Sequence, residues 1–207
     1  PVDPYSFKAD VAAMRAAITD NTILLTASAA SYAHGVIDPI VQIGQLALER
    51  GLLLHIDGCI GAFLLPYFRR LGASVPDFDL SVPGVTSISM DLHKYGYAPK
   101  GASVIVYRDK QLRRHQLYAC ADWTGYAVIN STVQSTKSGG PLAAAWTLLH
   151  ALGDAGYLEL ARRTLLATQA IVAGVRAIPG LRGLGEPEMS LLAFTSDAGD
   201  GPMLFAV

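Results

Sequence analysis

Apolar and polar residues follow two rhythms along this chain. From Asp10 to Ile18 the spacing is helical, with Val11, Met14, Ala17 and Ile18 on one side. Thr22 to Thr26 is a short apolar run rich in β-branched residues, which predicts a buried strand. A loop of small, polar and aromatic residues, Ala27 to Gly35, follows it. Asp38 as a cap, Pro39 at the first helical position and Gly51 as a stop frame a helix running to about Arg50. Leu52 to Asp57 reads as the next strand. Its period of two puts Leu53, His55 and Asp57 on one face and Leu52, Leu54 and Ile56 on the other.

Gly58 to Gly72 reads as a loop or short helix bearing Phe63, Tyr67 and Phe68, and Ser74 to Gly84, with two prolines, as a loop. The strand Thr86 to Met90 stops at Asp91. A second strand, Gly101 to Tyr107, follows so closely that the two should pair antiparallel. Arg108, Lys110, Arg113 and Arg114 suggest a solvated face. Asp122 to Gly140 has no clear period. Leu142–Leu152 and Tyr157–Ile178 are apolar helical stretches split at Gly153 to Gly156, and Ser190 to Thr195 reads as a further strand. Alternating strand and helix from Thr22 to Ile88 predict an α/β fold, a mainly parallel sheet with helices on both faces. The strand-end residues His55 and Asp57 then lie where open α/β sheets bind ligands.

Composition narrows the function classes. The 207 residues are 51% hydrophobic and 16% charged, with a formal net charge of -1. That balance suits a globular protein with a large core and gives no basic footprint for nucleic acid. No apolar run reaches membrane-spanning length, and the polar start, Pro1 to Asp10, gives no expectation of a secretory signal. Cys59 and Cys120 form neither a disulfide framework nor a zinc pattern, so reduced thiols in a cytoplasmic setting and no metal are expected. The missing initial Met suggests a fragment or processed chain, and a membrane anchor upstream remains compatible with it.

The chemistry concentrates in Ser87 to Gly101: a strand that stops at Asp91, then His93, Lys94, Tyr95, Tyr97 and Lys100 in one loop. Lys94, at the end of a buried strand, has the placement of a lysine that bonds to an aldehyde. That task calls for burial or a nearby cation to lower its pKa from about 10.4. Taken alone, a strand-end lysine is as readily a surface residue. Asp57 adds weight, because an acid at a pyridine nitrogen is what a pyridoxal phosphate (PLP) enzyme requires.

These residues carry a resemblance. His55–Leu64 and Thr86–Gly101 resemble the PLP-dependent sphingosine-1-phosphate lyase family, which belongs with the group II amino-acid decarboxylases. Tyr32–Pro39 and Asp122–Gly125 also match, and Ser135–Gly140 is similar to that family's Gly-Ser-Arg-x-Gly-Gly stretch. The resemblance covers about residues 20 to 195. It implies the large domain of an aspartate-aminotransferase-like, fold type I PLP-dependent transferase. Residues 1–180 would be the central part of that domain, and 181–207 the start of a small C-terminal domain.

The resemblance also implies roles. Lys94 bonds to the cofactor, Asp57 pairs with the pyridine nitrogen, His55 lies beside the ring, and His93 contacts the cofactor phosphate. Tyr97 and Lys100 bind substrate phosphate or move protons, with the base left open between them and a phosphate oxygen. Tyr32 lines the substrate site, and His34 and Lys137 are candidates for its phosphate. Ser135 and Gly139 reach the cofactor phosphate of a partner in a homodimer with shared active sites. The sequence departs from the family at Ser135 (for Gly), Lys137 (for Arg) and Ala62 (for Gly). Lysine keeps a point charge but loses arginine's bidentate fork. The upstream segment that cradles the cofactor phosphate has no counterpart here.

The implied function is retro-aldol cleavage of a phosphorylated long-chain base to a fatty aldehyde and phosphoethanolamine. An amino-acid decarboxylase on the same scaffold, or a non-catalytic fragment or interaction subunit, are the alternatives.

Overall fold

The computed structural model describes residues 2–133 and 136–197, together with the backbone of 204–206. Helix α1 (Val11–Ala17) starts at Asp10, whose carboxylate accepts from the Ala13 N–H. Strand β1 (Leu24–Ser28) leads through the Ala27–Gly35 loop to α2 (Ile40–Arg50), which ends on Gly51 at φ 64°. Then come β2 (Leu53–Asp57), α3 (Leu65–Arg70), β3 (Ser87–Asp91) and β4 (Ser103–Tyr107). A short α4 (Lys110–Arg113) leads through a 3-10 turn to the hairpin β5 (Tyr118–Cys120) and β6 (Val128–Asn130). Helix α5 (Gly140–Ala177) breaks at Gly153, where φ 58° and ψ -177° leave the helical region, as the two separate helical patterns require. Strands β7 (Leu181–Gly183), β8 (Leu192–Ser196) and β9 (Leu204–Ala206) close the chain.

The main sheet runs β1-β2-β3-β4. The first three strands are parallel and β4 is antiparallel to β3. Each parallel crossover carries a helix, as the connection demands. Leu25, Ala27, Leu54, Ile56 and Ile88 point into a core with Ile40, Ile43, Leu46, Leu65 and Phe68 from α2 and α3. The first half of α5 covers the same face further along, where Ala145 and Leu148 meet Leu92, Met90 and Val104. Helices α2, α3 and the first half of α5 lie on this face, while Leu112 of α4 and His115 and Gln116 of the turn after it border the other. On the other face Leu24, Leu53 and Ile105 are each more than 40% exposed.

One local reading changes. Asp38 does not cap α2. Its carboxylate accepts from the backbone N–H groups of Ser28 and Ala9, both at 2.7 Å, and so fastens the β1 loop to the N-terminal segment. Trp123 and Trp146 are 52% and 64% exposed, with their rings against those of Tyr126 and His150. Arg108, at the edge of the basic run, donates to the carbonyls of Val85, Leu80 and Val82 and ties the loop before β3 to the end of β4.

Candidate active site

Parallel register brings the polar ends of three strands level. Ser28 pairs with Asp57, and Asp57 with Ser89. Thr26, His55 and Ser87 form the row beneath. Because side chains alternate, these residues share the open face, and all but Ser87 line a cavity of about 350 Å³ with Asp38. The period of two in Leu53–Asp57 therefore placed His55 and Asp57 correctly on one side.

Asp57 is held as a carboxylate. Burial pushes its pKa up, but the Cys59 backbone N–H (3.0 Å from Oδ1) and thiol, then the charges of Lys94 and His55, bring it below the usual range. His55 is lowered by burial, against the pull of Asp57, and so is disposed to stay neutral. Its Nδ1 lies 2.9 Å from Ser87 Oγ, which fixes the ring plane.

The loop after β3 delivers Lys94 to the same place. Lys94 Nζ donates to Cys59 Sγ at 3.0 Å and lies 3.0 Å from Asp91 Oδ2. Cys59 thus links lysine and Asp57. Burial drives the Lys94 pKa down, yet the bonds to Cys59 and Asp91 outweigh it and the net direction is upward. This reverses the expectation that burial or a neighbouring cation lowers it, since the nearest groups are acceptors. His93 is placed differently from a free phosphate ligand. Its Nδ1 is 3.0 Å from the Ala102 carbonyl and its Nε2 is 3.5 Å from Asp91.

The loop is fastened at both sides. Tyr95 OH bonds to Ser190 Oγ before β8, and Tyr157 OH of α5 donates to the buried Gly96 carbonyl at 3.0 Å. Between these anchors Tyr97 takes φ 57°, a left-handed conformation that a bulky residue adopts only where its surroundings impose it. A Cβ on Gly96 would come within 2.5 Å of the Leu92 carbonyl, so the turn needs glycine there. Tyr157→Phe is expected to leave the Gly96 carbonyl without its partner. The cost is about 1–3 kcal/mol of stability, read from urea unfolding midpoints, with the loop becoming more open to proteolysis.

The other expected site residues lie further out. Tyr97 is exposed and meets Tyr95 edge-on at 6.3 Å. Tyr32, Lys100, Lys137 and Gly139 are exposed, and none of the hydrogen bonds that hold Lys94 reaches them. His34 stacks on Phe7 at 4.1 Å, turned to the N-terminal segment. Ser135 lies outside the described residues. Sequence reading missed Asp91 and Ser87, and it gave Cys59 no partner. Only the strand ending at Asp91, three residues before Lys94, hinted at the first.

The sequence model for the pyridoxal-dependent decarboxylase conserved domain matches residues 6–196. A sphingosine-1-phosphate lyase of Arabidopsis thaliana is 45% identical over 97% of this chain, which covers 37% of that protein. A probable L-aspartate decarboxylase of Thermococcus gammatolerans is 33% identical over 87% of the chain and 47% of its own length. Among solved structures, the sphingosine-1-phosphate lyase of Burkholderia pseudomallei superposes with a TM-score of 0.92 at 44% identity, over 96% of this chain and 45% of that one. The chain thus spans less than half the length of these relatives.

Proposed function

The chain belongs to the pyridoxal-dependent decarboxylase family, with a fold type I architecture, and from that premise we propose that it is the central part of a PLP-dependent carbon–carbon lyase. The substrate class is a phosphorylated long-chain base, cleaved to a fatty aldehyde and phosphoethanolamine. The observation that carries the reading is that Lys94 bonds to Cys59, whose backbone N–H bonds to Asp57, beside the cavity that Asp57 and His55 line. The greater identity to lyases than to the aspartate decarboxylase favours it over decarboxylation.

This donor set fits pyridoxal phosphate. An amine is available for its aldehyde and a carboxylate for its pyridine nitrogen, beside an open cavity of suitable polarity. Bound, the cofactor supplies an electron sink for the pair released when the substrate's Cα–Cβ bond breaks. Asp57 would hold the proton at the cofactor's ring nitrogen, through a charge-assisted hydrogen bond. His55, with its ring plane fixed by Ser87, borders Asp57 without competing as a cation. Tyr97 and Lys100 face substrate, binding its phosphate or moving the proton of its hydroxyl. Tyr32 and Lys137 would complete the substrate side and Ser135 and Gly139 would serve the cofactor phosphate, whereas His34, stacked on Phe7, and His93, between the Ala102 carbonyl and Asp91, are engaged elsewhere.

We assign the exposed apolar residues Tyr118, Trp123, Tyr126, Ile129 and Trp146 to an interface in a homodimer with shared sites. Residues 181–207 open the small C-terminal domain. Their three-stranded antiparallel sheet, separate from the main one, supports that division. No helix among the described residues is long and apolar enough to cross a membrane.

The test incubates the full-length protein with pyridoxal phosphate and sphingosine 1-phosphate. The expected outcome is a visible absorbance band followed by fatty aldehyde and phosphoethanolamine. Carbon dioxide from an amino acid, without aldehyde, would move the assignment to a decarboxylase. A protein that stays colourless with the cofactor would end the enzyme reading.

A further inference from the structure

Asp91 closes β3 and faces Ser103 across the β3–β4 register. Its carboxylate is mostly shielded. Oδ1 accepts from Ser103 Oγ at 2.6 Å, and Oδ2 lies 3.0 Å from Lys94 Nζ and 3.5 Å from His93 Nε2. Its backbone N–H donates to the Cys59 carbonyl at 3.1 Å, which ties the strand end to the loop bearing the other Lys94 acceptor. One edge of the carboxylate is thus fixed by the sheet and the other is presented to the lysine. Asp57, aimed at the cavity from β2, does not hydrogen-bond Lys94. The two carboxylates divide the work by position.

We propose that Asp91 is a positioning residue for Lys94. It holds the lysine as an ammonium, in place and out of the cavity, whenever that lysine is not bonded to cofactor. This rests on the reading of Lys94 as the cofactor lysine. The groups facing Lys94 are Asp57 and Cys59 from β2 and its following loop, Asp91 from β3, and His93 from its own loop. Only Asp91 combines a full negative charge with direct contact, because the Cys59 thiol is pushed up by burial and so stays protonated near neutral pH. A charged acceptor at 3.0 Å stabilises the ammonium over the amine, so removing it should lower the pH at which Lys94 becomes nucleophilic.

The experiment uses the full-length protein stripped of cofactor. Lys94 labelling by an amine-reactive reagent is followed against pH by peptide mass mapping, with exposed Lys100 as internal reference. In Asp91→Asn, which keeps the shape and the Ser103 contact, the labelling midpoint of Lys94 should fall by about one pH unit, a tenfold gain in reactivity at a fixed pH below it. Lys100 should not change. Cys59→Ala should move the Lys94 midpoint less than Asp91→Asn does. In the unmutated protein, a water-soluble carbodiimide should condense Lys94 with Asp91, with loss of one water, and prior cofactor loading should suppress this link. An unmoved or raised midpoint in Asp91→Asn, a larger shift in Cys59→Ala, or carbodiimide coupling of Lys94 to Asp57 instead would overturn the proposal. Should Asp91→Asn not fold, the carbodiimide product decides. Adding pyridoxal phosphate to the unmutated protein separates the two readings. If Lys94 captures the cofactor and the midpoint does not move, only the role of Asp91 fails. If Lys94 captures none, the cofactor assignment fails, while the midpoint still reports on the Asp91–Lys94 pair.

Discussion

Lys94→Ala in the full-length protein is expected to abolish the visible absorbance band that pyridoxal phosphate gives on bonding to a protein amine. Turnover should fall between about 10²- and 10⁴-fold, the range for removing a positioned proton-transfer group, and further because the covalent anchor goes with it. The loss should be chemical. The loop is held by backbone bonds that alanine keeps: Lys94 N–H to the Asp91 carbonyl, Tyr97 N–H to the Lys94 carbonyl at 2.9 Å, and Ala98 N–H to the Leu92 carbonyl at 3.0 Å. The Tyr95 and Tyr157 anchors lie outside the substituted side chain. Asp91 keeps Ser103 and His93 as partners. Unfolding midpoints should therefore stay within about 1 kcal/mol of the unmutated protein, as for substitutions that bury no new polar group. A band of undiminished strength in the variant would show that another amine takes the aldehyde.

Asp57→Asn should have the second largest effect. The amide oxygen can still accept from the Cys59 N–H, so the loop after β2 keeps its shape. The negative charge at the ring nitrogen is what disappears. A hydrogen bond to a charged group contributes about 1.5–3 kcal/mol, so cofactor affinity should fall about 10- to 150-fold. Turnover should fall at least as far, because a ring that is not protonated is a poorer electron sink. Cofactor titration by absorbance and product assay at saturating cofactor separate the two effects. Equal affinity and equal turnover would remove Asp57 from the site. The carboxylate is well suited to the charge, since the Cys59 bonds and the Lys94 and His55 charges together overcome the burial that would protonate it.

Most of the strand framework was readable from the residues because its signals are local. The alternation in Leu53–Asp57 needs only the geometry of an extended chain to place His55 beside Asp57 on the cavity face. Gly51 and Gly153 marked real helix boundaries, since a positive φ is a local demand that glycine meets. Asp38 shows the opposite case. An acid before proline has the pattern of a helix cap, but two loop amides nearby in space, from Ser28 and Ala9, claim both oxygens.

The sequence alone determined that a lysine follows one strand, that an acid and an imidazole end another, and that parallel crossovers separate the two. These are properties of spacing. Only the tertiary structure decided which groups Lys94 meets. Register aligned Asp57 with Ser89, the antiparallel β3–β4 pair brought Asp91 to Ser103, and loop closure set Cys59 between Lys94 and Asp57. Residues far apart along the chain become neighbours only through packing, and a few ångströms of strand register decide whether a lysine faces an acceptor or a cation. Hence its pKa direction, downward by expectation and upward in the fold, followed from neighbours that spacing does not specify.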